Sequence, residues 1–429
     1  MVKINNAISL FSSSGIGDIA LRENKIKVLV ANEIVSERCS LFRRNFPETK
    51  LIEGSILKKK DEIINVTKNI LKNKKLDFAL ITPPCQGMSK NGRGKLLSEI
   101  KAGRRPKVDK RNLLILPALE IIKELRPSIV LFENVPEMVN TLIPYKKKTK
   151  SILDIIYYEL KDWTVFHKVI EFADYGIPQR RQRLITIATR NLKHKKYYSK
   201  NKNLLPPTSH ASKINNNKSF NFIEDKKKWL TVRDLIGRME KLDGKNKTCS
   251  LTDSLHRVPK LDNKKYWWIS NTKAKTSAFD NQCIKCKKFK NPTHKSLKDI
   301  EGVNKSSKST PIYCLNCKDL LPRPSVEING KFRIMRGFTS AYKRMDWDLP
   351  APAITRNFPY VSSDNKIHPE QNRTLSIREA CILHTINKKD FIFEFDNNQS
   401  AGMTAIRDTL GESIPPRILS IIISFLKKI

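Results

Sequence analysis

The sequence predicts an α/β fold: a doubly wound, mostly parallel sheet with a smaller, irregular second domain. Three observations carry that prediction. Short apolar runs recur at 8–11, 27–31, 78–81, 129–132, 164–170 and 184–188, each the length of a buried strand. Between them lie stretches such as 113–124, whose apolar residues fall at helical spacing. Beyond about 190 the character changes: 191–228 is rich in Lys, Asn and Ser, and 272–330 is Lys-rich with little periodicity. Alternating strand and helix signals belong to βαβ units, and 429 residues suffice for one large domain and a smaller one. The expected division is 1–190, a variable module at 191–350, and a C-terminal segment, 351–429, that returns to the first domain. In that last segment 377–383 reads as a helix, and 411–428 as a turn followed by a helix packed beside the first one.

Ligands of a doubly wound sheet bind beyond the carboxyl ends of its strands, and the chemically informative residues sit at such ends. After the first strand comes Phe11-Ser12-Ser13-Ser14-Gly15-Ile16-Gly17, a glycine turn that suits an anionic group on free backbone N–H donors. The second strand ends in Asn32-Glu33, where an acid is the expected partner of ribose hydroxyls. Pro83-Pro84-Cys85-Gln86 follows the third apolar run, so the prolines set the direction of a turn that carries a thiol. Phe132-Glu133-Asn134-Val135-Pro136 closes another run, and Gln179-Arg180-Arg181-Gln182-Arg183 precedes the last. Alternation along a strand would put Arg181 and Arg183 on one face.

A nucleophile, an acid and two arginines in that order resemble the cytosine-C5 DNA methyltransferases. The resemblance implies a Rossmann-like, S-adenosylmethionine-dependent domain. Phe11, Gly15, Gly17 and Glu33 match its cofactor motifs. Glu53-Gly54-Ser55-Ile56 matches the adenine-contacting stretch, with Ser55 where the family has Asp. Pro84 and Ser413 also fall at the expected cofactor pocket. Cys85 is the implied nucleophile and Glu133 the carboxyl near N3 of the base. Of Arg181 and Arg183, one would contact the target base or its phosphate and the other orient the catalytic loop. Gln86 and Ser89 would touch DNA, Ser89 at the phosphate of the flipped nucleotide. The Lys- and Arg-rich loop 87–112 suits a lid. Arg373-Thr374-Leu375-Ser376-Ile377-Arg378-Glu379 matches the segment that organises the recognition module. Gly411-Glu412-Ser413-Ile414-Pro415-Pro416 matches the last motif, with Glu412 where Asn is usual.

Composition agrees. Lys and Arg number 82 against 42 acids, a formal charge of +40, which points to a polyanion such as duplex DNA. Cys283-Ile284-Lys285-Cys286 and Cys314-Leu315-Asn316-Cys317 have the spacing of a tetrahedral zinc site. Lys285, Lys287, Lys288 and Lys290 around the first pair would face phosphates. His256, Arg257 and 333–336 are candidate base readers. No secretory pattern opens the chain and no apolar run approaches a membrane span, so reduced thiols are expected, and the resemblance implies a monomer in the bacterial cytoplasm, at the nucleoid. A restriction endonuclease acting separately is the partner the resemblance implies. Two alternatives stay open: methylation of cytosine in tRNA, and a catalytically inactive, zinc-containing DNA-binding protein.

Overall fold

The computed structural model describes residues 2–84, 109–212, 226–287, 289–293, 296–298, 304–306, 309–335 and 339–429. The chain forms two compact units. The first comprises Met1–Ile177, Arg181–Lys228 and Thr385–Ile429. The second comprises Pro178–Arg180 and Trp229–His384.

The strands in chain order are β1 (Asn6–Leu10), β2 (Lys27–Glu33), β3 (Lys50–Glu53), β4 (Phe78–Ile81), β5 (Ile129–Asn134), β6 (Leu142–Tyr145), β7 (Lys148–Ser151), β8 (Thr164–Glu171), β9 (Gln179–Arg180) and β10 (Gln182–Thr189). Seven of them form the sheet of the first unit, in the order β3-β2-β1-β4-β5-β10-β8. The first five of that series run parallel, and β10 is antiparallel to both β5 and β8. Helices cover both faces, so β4 and β5 are buried throughout and read as continuous apolar runs. The strand order reverses between β1 and β4, which makes their carboxyl ends the topological switch point.

The helices place this edge. Helix α1 (Ile19–Glu23) follows the glycine turn, and α2 (Ser36–Asn45) follows β2. Helix α3 (Ile56–Leu71) buries Ile56, Ile63, Ile64, Thr67 and Leu71, one stripe at helical spacing. It lies beside α4 (Ile115–Leu125). The chain's end returns, as expected, to pack on α1 through Pro416–Lys428, whose Ile418, Leu419, Ile422, Ile423 and Leu426 are buried. Residues Met403–Glu412 form a further helix, so Gly411 and Glu412 are helical and the turn falls at 413–415. By length and composition alone the stretch 403–428 would pass for a membrane span, although it is broken at 413–415. Its most apolar window is 67% buried within the protein, however, which is how the core helix of a folded domain behaves.

The composition change near 191 does not coincide with a unit boundary. Leu192–Asn201 is helical and belongs to the first unit, where buried His194 bonds to Thr189 Oγ1 at 3.0 Å and the Leu426 carbonyl at 2.7 Å.

In the second unit Trp268, Phe279 and Tyr342 form an edge-to-face aromatic core. Buried Arg344 donates to the carbonyls of Ile269, Thr272, His368 and Gln371 and to Asn372 Oδ1. The Arg373–Glu379 segment is a second tie. Arg373 grips the Glu379 carboxylate with two 2.7 Å bonds in a fully buried pair. Ser376 and Glu379 form the capping box of the helix Ile377–Leu383, and Arg378 pairs with Asp253 at 2.6 Å. These ties place 351–384 in the second unit rather than with the returning segment.

Candidate active site

The switch point gathers the cofactor motif. Phe11 and Ser13 take left-handed backbone at φ 59° and 49°. Gly15 takes φ 89°, where a Cβ would stand 2.5 Å from the Phe46 ring. Glycine is therefore required at 15 by conformation and by space together. A Cβ on Gly17 would meet Ile414 and Leu419 at ordinary contact, so Gly17 is not sterically compelled.

Glu33 is buried, and its carboxylate accepts three backbone N–H bonds: Ser13 at 2.9 Å, Ile34 at 2.8 Å and Val35 at 2.9 Å. It ties the glycine turn to the end of β2. Asn32, which sequence reasoning passed over, completes the tie. Its amide donates to the carbonyls of Ile52 and Gly54 at 2.8 and 3.0 Å, and its own carbonyl accepts from Ser12 N–H at 3.0 Å. Ser55 follows Gly54 at the start of α3, and Ile56 is buried in the core. Glu412, where the family usually has Asn, pairs with Arg38 at 2.5 Å, and Arg38 lies 3.9 Å from Glu33. That departure is thus accommodated by a charge pair.

These residues fit a cofactor carrying both charges and hydroxyls. Among the described residues, Ser13 Oγ and Ser14 Oγ on the turn are buried without a hydrogen-bond partner, as is Asp18 Oδ1 at the start of α1. Burial pushes the Asp18 carboxyl up to about 7, against a lowering hydrogen bond from Ser9. An acid after Gly17 was the available signal for it.

The second cluster lies on the ends of β4, β5 and β10. Thr82 follows β4 and bonds the Phe11 carbonyl at 3.0 Å. Asn134 is buried and bifunctional. Its amide donates to the Pro83 carbonyl at 3.1 Å and its Oδ1 accepts the Val135 N–H at 2.8 Å. Pro83 and Pro84 are thereby held beside β5, immediately before Cys85 in the chain. Cys85, Gln86 and Ser89, with most of the loop 87–112, lie outside the described residues. Glu133 is buried on β5, opposite Ile185, and Arg183 Nε meets its carboxylate at 2.9 Å.

Arg181 and Arg183 do not act as a matched pair. Arg181 precedes β10, accepts no ladder position there, and donates to the Ser413 carbonyl at 2.9 Å. Its N–H bonds Glu171 Oε1 at 2.7 Å. Alternation was counted from a strand that starts one residue later, at Gln182. Ser413 itself is buried, its hydroxyl donating to the Leu410 carbonyl at 3.0 Å.

The second unit holds the cysteine cluster. The Sγ atoms of Cys283, Cys286, Cys314 and Cys317 lie within 4.8 Å of one another, with Cys283 and Cys317 at 3.5 Å. Tetrahedral zinc at about 2.3 Å from each sulfur needs sulfurs roughly 3.8 Å apart. The knuckles repeat one another. Cys286 N–H bonds Cys283 Sγ at 3.3 Å, and Lys287 and Lys318, each following the second cysteine, both take left-handed backbone. Burial opposes ionisation of Cys314, but the Cys317 N–H and the Asn291 amide bring its thiol down to about 6. Such donors favour the thiolate a metal needs. His256 cannot read bases: it is buried between Ser376 Oγ and the Glu240 carbonyl, both at 2.8 Å. Arg333 is exposed on the hairpin Ser325–Ile328/Lys331–Ile334.

Comparison with known proteins follows the same lines. The Type II methyltransferase M1.HgaI of Avibacterium volantium is 26% identical over 418 residues, 96% of this chain and 95% of that protein. M.AquIA of a Picosynechococcus strain, also a Type II methyltransferase, is 30% identical over 192 residues, 43% of this chain and 71% of that one. The fold matches the Entamoeba histolytica methyltransferase EhMeth at a TM-score of 0.53 and 13% identity, covering 100% of this chain and 99% of that one. The family model for C-5 cytosine-specific DNA methylases matches residues 5–428. The chain belongs to the C-5 cytosine-specific DNA methylase family and transfers methyl groups from S-adenosylmethionine to DNA cytosine.

Proposed function

We propose that Cys85 and Glu133 carry the reaction, and that Arg183, Asn134 and Arg181 position them. The observation that supports this reading is that Asn134 donates to the Pro83 carbonyl and accepts the Val135 N–H, which ties the Pro83-Pro84 turn preceding Cys85 in the chain to the end of β5 that carries Glu133. Cytosine C5 is a poor nucleophile. Addition of the Cys85 thiolate to C6 pushes electron density into the ring, and a proton from Glu133 at N3 neutralises it. C5 is then enamine-like and takes a methyl group. Loss of the C5 proton and of the thiolate restores the aromatic ring. S-adenosylmethionine supplies the methyl group on a sulfonium. Glu33 would face its ribose, the glycine turn its methionine end, and Ser55, Ile56, Pro84 and Ser413 the rest of the pocket. The base must leave the stack to reach Cys85, with Gln86 and Ser89 on the DNA side.

The second unit is the recognition module in this reading, braced by zinc on the four cysteines. The substrate is duplex DNA at one recurring sequence. The relatives M1.HgaI and M.AquIA are named as Type II methyltransferases, which supports a modification enzyme paired with a separately acting endonuclease. A monomer in the bacterial cytoplasm, working at the nucleoid, follows from that role. The test is transfer of labelled methyl groups to unmethylated duplex DNA, with structured RNA alongside, by the parent protein and by Cys85→Ser. Label at C5 of one recurring duplex motif, lost in the variant while DNA binding persists, is expected. Label in RNA alone, or undiminished label from the variant, overturns the reading.

A further inference from the structure

The first unit carries a cationic cleft that the methyl-transfer site does not use. It has a volume of about 230 Å³ and is lined by Lys123, Arg126, Lys146 and Lys161 with Tyr158 and Trp163. Glu159 and Asp162 also line it. Glu159 is already engaged, by Lys123 at 2.5 Å, Lys146 at 3.1 Å and the Tyr145 hydroxyl. The remaining charge is mostly positive. The guanidiniums of Arg126 and Arg190 both lie over the Trp163 ring, at 5.6 and 5.5 Å from its centroid, so two like charges are held by one aromatic side chain. Arg190 also donates to the Arg126 carbonyl at 2.9 Å. Trp163 is 7% exposed, and its indole N–H is buried without an acceptor among the described residues. Clustered cations around one concave surface favour an anionic ligand. The β6–β7 hairpin extends the patch. Lys146 and Lys150 sit over the rings of Tyr145 and Tyr158, and Lys147 and Lys148 are exposed.

The cleft is at the other end of the sheet from the reacting groups. Trp163 immediately precedes β8, Thr164 pairs with Thr189, and Thr189 pairs with Ile129, the first residue of β5. Glu133 and Asn134 end that strand, about 16 Å away at strand rise. We propose that this cleft is an accessory phosphate site that holds the phosphodiester backbone of a second stretch of DNA, apart from the duplex being methylated. The proposal takes the DNA substrate as given and adds a separate contact to it. Arg126 and Lys161, which line the cleft, would meet one phosphate, and the hairpin lysines would follow the strand.

The test is a bridging assay with the full chain. Protein held on a biotinylated duplex, at protein concentrations below that of the duplex, is offered a second, labelled duplex. The parent should retain it. Lys147→Ser/Lys148→Ser/Lys161→Ser changes three exposed side chains outside the active site. It should retain at least fivefold less, with the log–log salt slope of second-duplex binding reduced by about 2–3. Methyl transfer to a ~20-bp duplex, about two helical turns, should stay unchanged. Equal retention by parent and variant, or none by the parent, overturns the proposal. Displacement by RNA at far lower concentration than by DNA would reassign the ligand and overturn it as stated. If the triple variant fails to fold, Lys161→Ser alone must show a smaller loss in the same direction. Absent methylation of the short duplex by the parent would instead count against the active-site reading.

Discussion

Asn134→Ala isolates the link between β5 and the segment that carries Cys85. The parent side chain makes two bonds to buried backbone, to the Pro83 carbonyl at 3.1 Å and from the Val135 N–H at 2.8 Å. Its removal leaves one acceptor and one donor unpaired in a site where Asn134 is only 2% exposed. Each unpaired buried group costs about 1–3 kcal/mol. Water entering the vacated space would recover part of that, so a loss of roughly 2–4 kcal/mol is reasonable. If half of it appears as misplacement of the thiol relative to Glu133, single-turnover methyl transfer should fall about 5- to 30-fold. The remainder should appear as a lower denaturation midpoint. The informative comparison is Asn134→Asp, which keeps the acceptor for Val135 N–H but sets a carboxylate against the Pro83 carbonyl. It should be at least as slow as Ala, because repulsion replaces an absent bond. The assay is rapid-quench transfer of labelled methyl at saturating cofactor and DNA, with chemical denaturation in parallel. A single-turnover rate within twofold of the parent for both variants would refute the claim that Asn134 positions the Cys85 segment.

Three further outcomes are expected. Asp18 holds its proton to about pH 7 in the folded chain because burial disfavours its charge, whereas an unfolded Asp releases it near 3.8. The folded state therefore binds the extra proton between those values, and stability falls as pH rises through that window, by up to about 1.4 kcal/mol per unit. Asp18→Asn should remove that slope and gain on the parent at pH 8 relative to pH 5 in urea titrations; parallel profiles would contradict it. Gly15→Ala forces a Cβ to 2.5 Å from the Phe46 ring at φ 89°, and should weaken cofactor binding at least tenfold by calorimetry. Normal affinity would show that the turn yields freely. The four-cysteine site should return one zinc per chain on metal analysis. Strong chelators should then expose 283–317 to protease before the first unit is cut, and a metal-free preparation equally resistant would dispose of the site.

The strands that read most plainly in the sequence were those whose burial is two-sided, although the edge strand β8 was also legible at 164–170. β4 and β5 are buried along their whole length, so 78–81 and 129–132 announce themselves as apolar runs. β3 does not. Lys50 and Glu53 flank two apolar residues, because it is an edge strand and only Ile52 is buried. Helix Met403–Glu412 was missed for a related reason: its polar face is written with Arg407, Asp408 and Glu412, and Gly411 reads as a turn although the helix runs through it. The unit boundary at 228 was hidden because Leu192–Asn201 is polar on its exposed side and buries chiefly His194. Composition registers what faces solvent, whereas the unit is defined by what is buried.

The site shows the same division between residue type and partner. Motif order indicated which side chains belong at the switch point, but not what each one grips. Arg181 and Arg183 look interchangeable in Gln-x-Arg-x-Arg, yet one holds the Ser413 carbonyl and the other the Glu133 carboxylate. Their partners come from segments 232 and 50 residues away, which no local pattern encodes. Glu33 is the sharper case. Read as a ribose ligand, it is also the acceptor for Ser13, Ile34 and Val35 N–H, so the carboxylate is fixed before any cofactor arrives. Oε1 carries two of those bonds and Oε2 one, and a carboxylate offers about four acceptor sites in all. About one acceptor site therefore remains for a ribose hydroxyl, in the role proposed for Glu33, without displacing the glycine turn. A Gln at that position would keep one carbonyl oxygen but point an NH₂ at backbone donors. The acid is required there to build the glycine turn, before any part it takes in the proposed ligand contact.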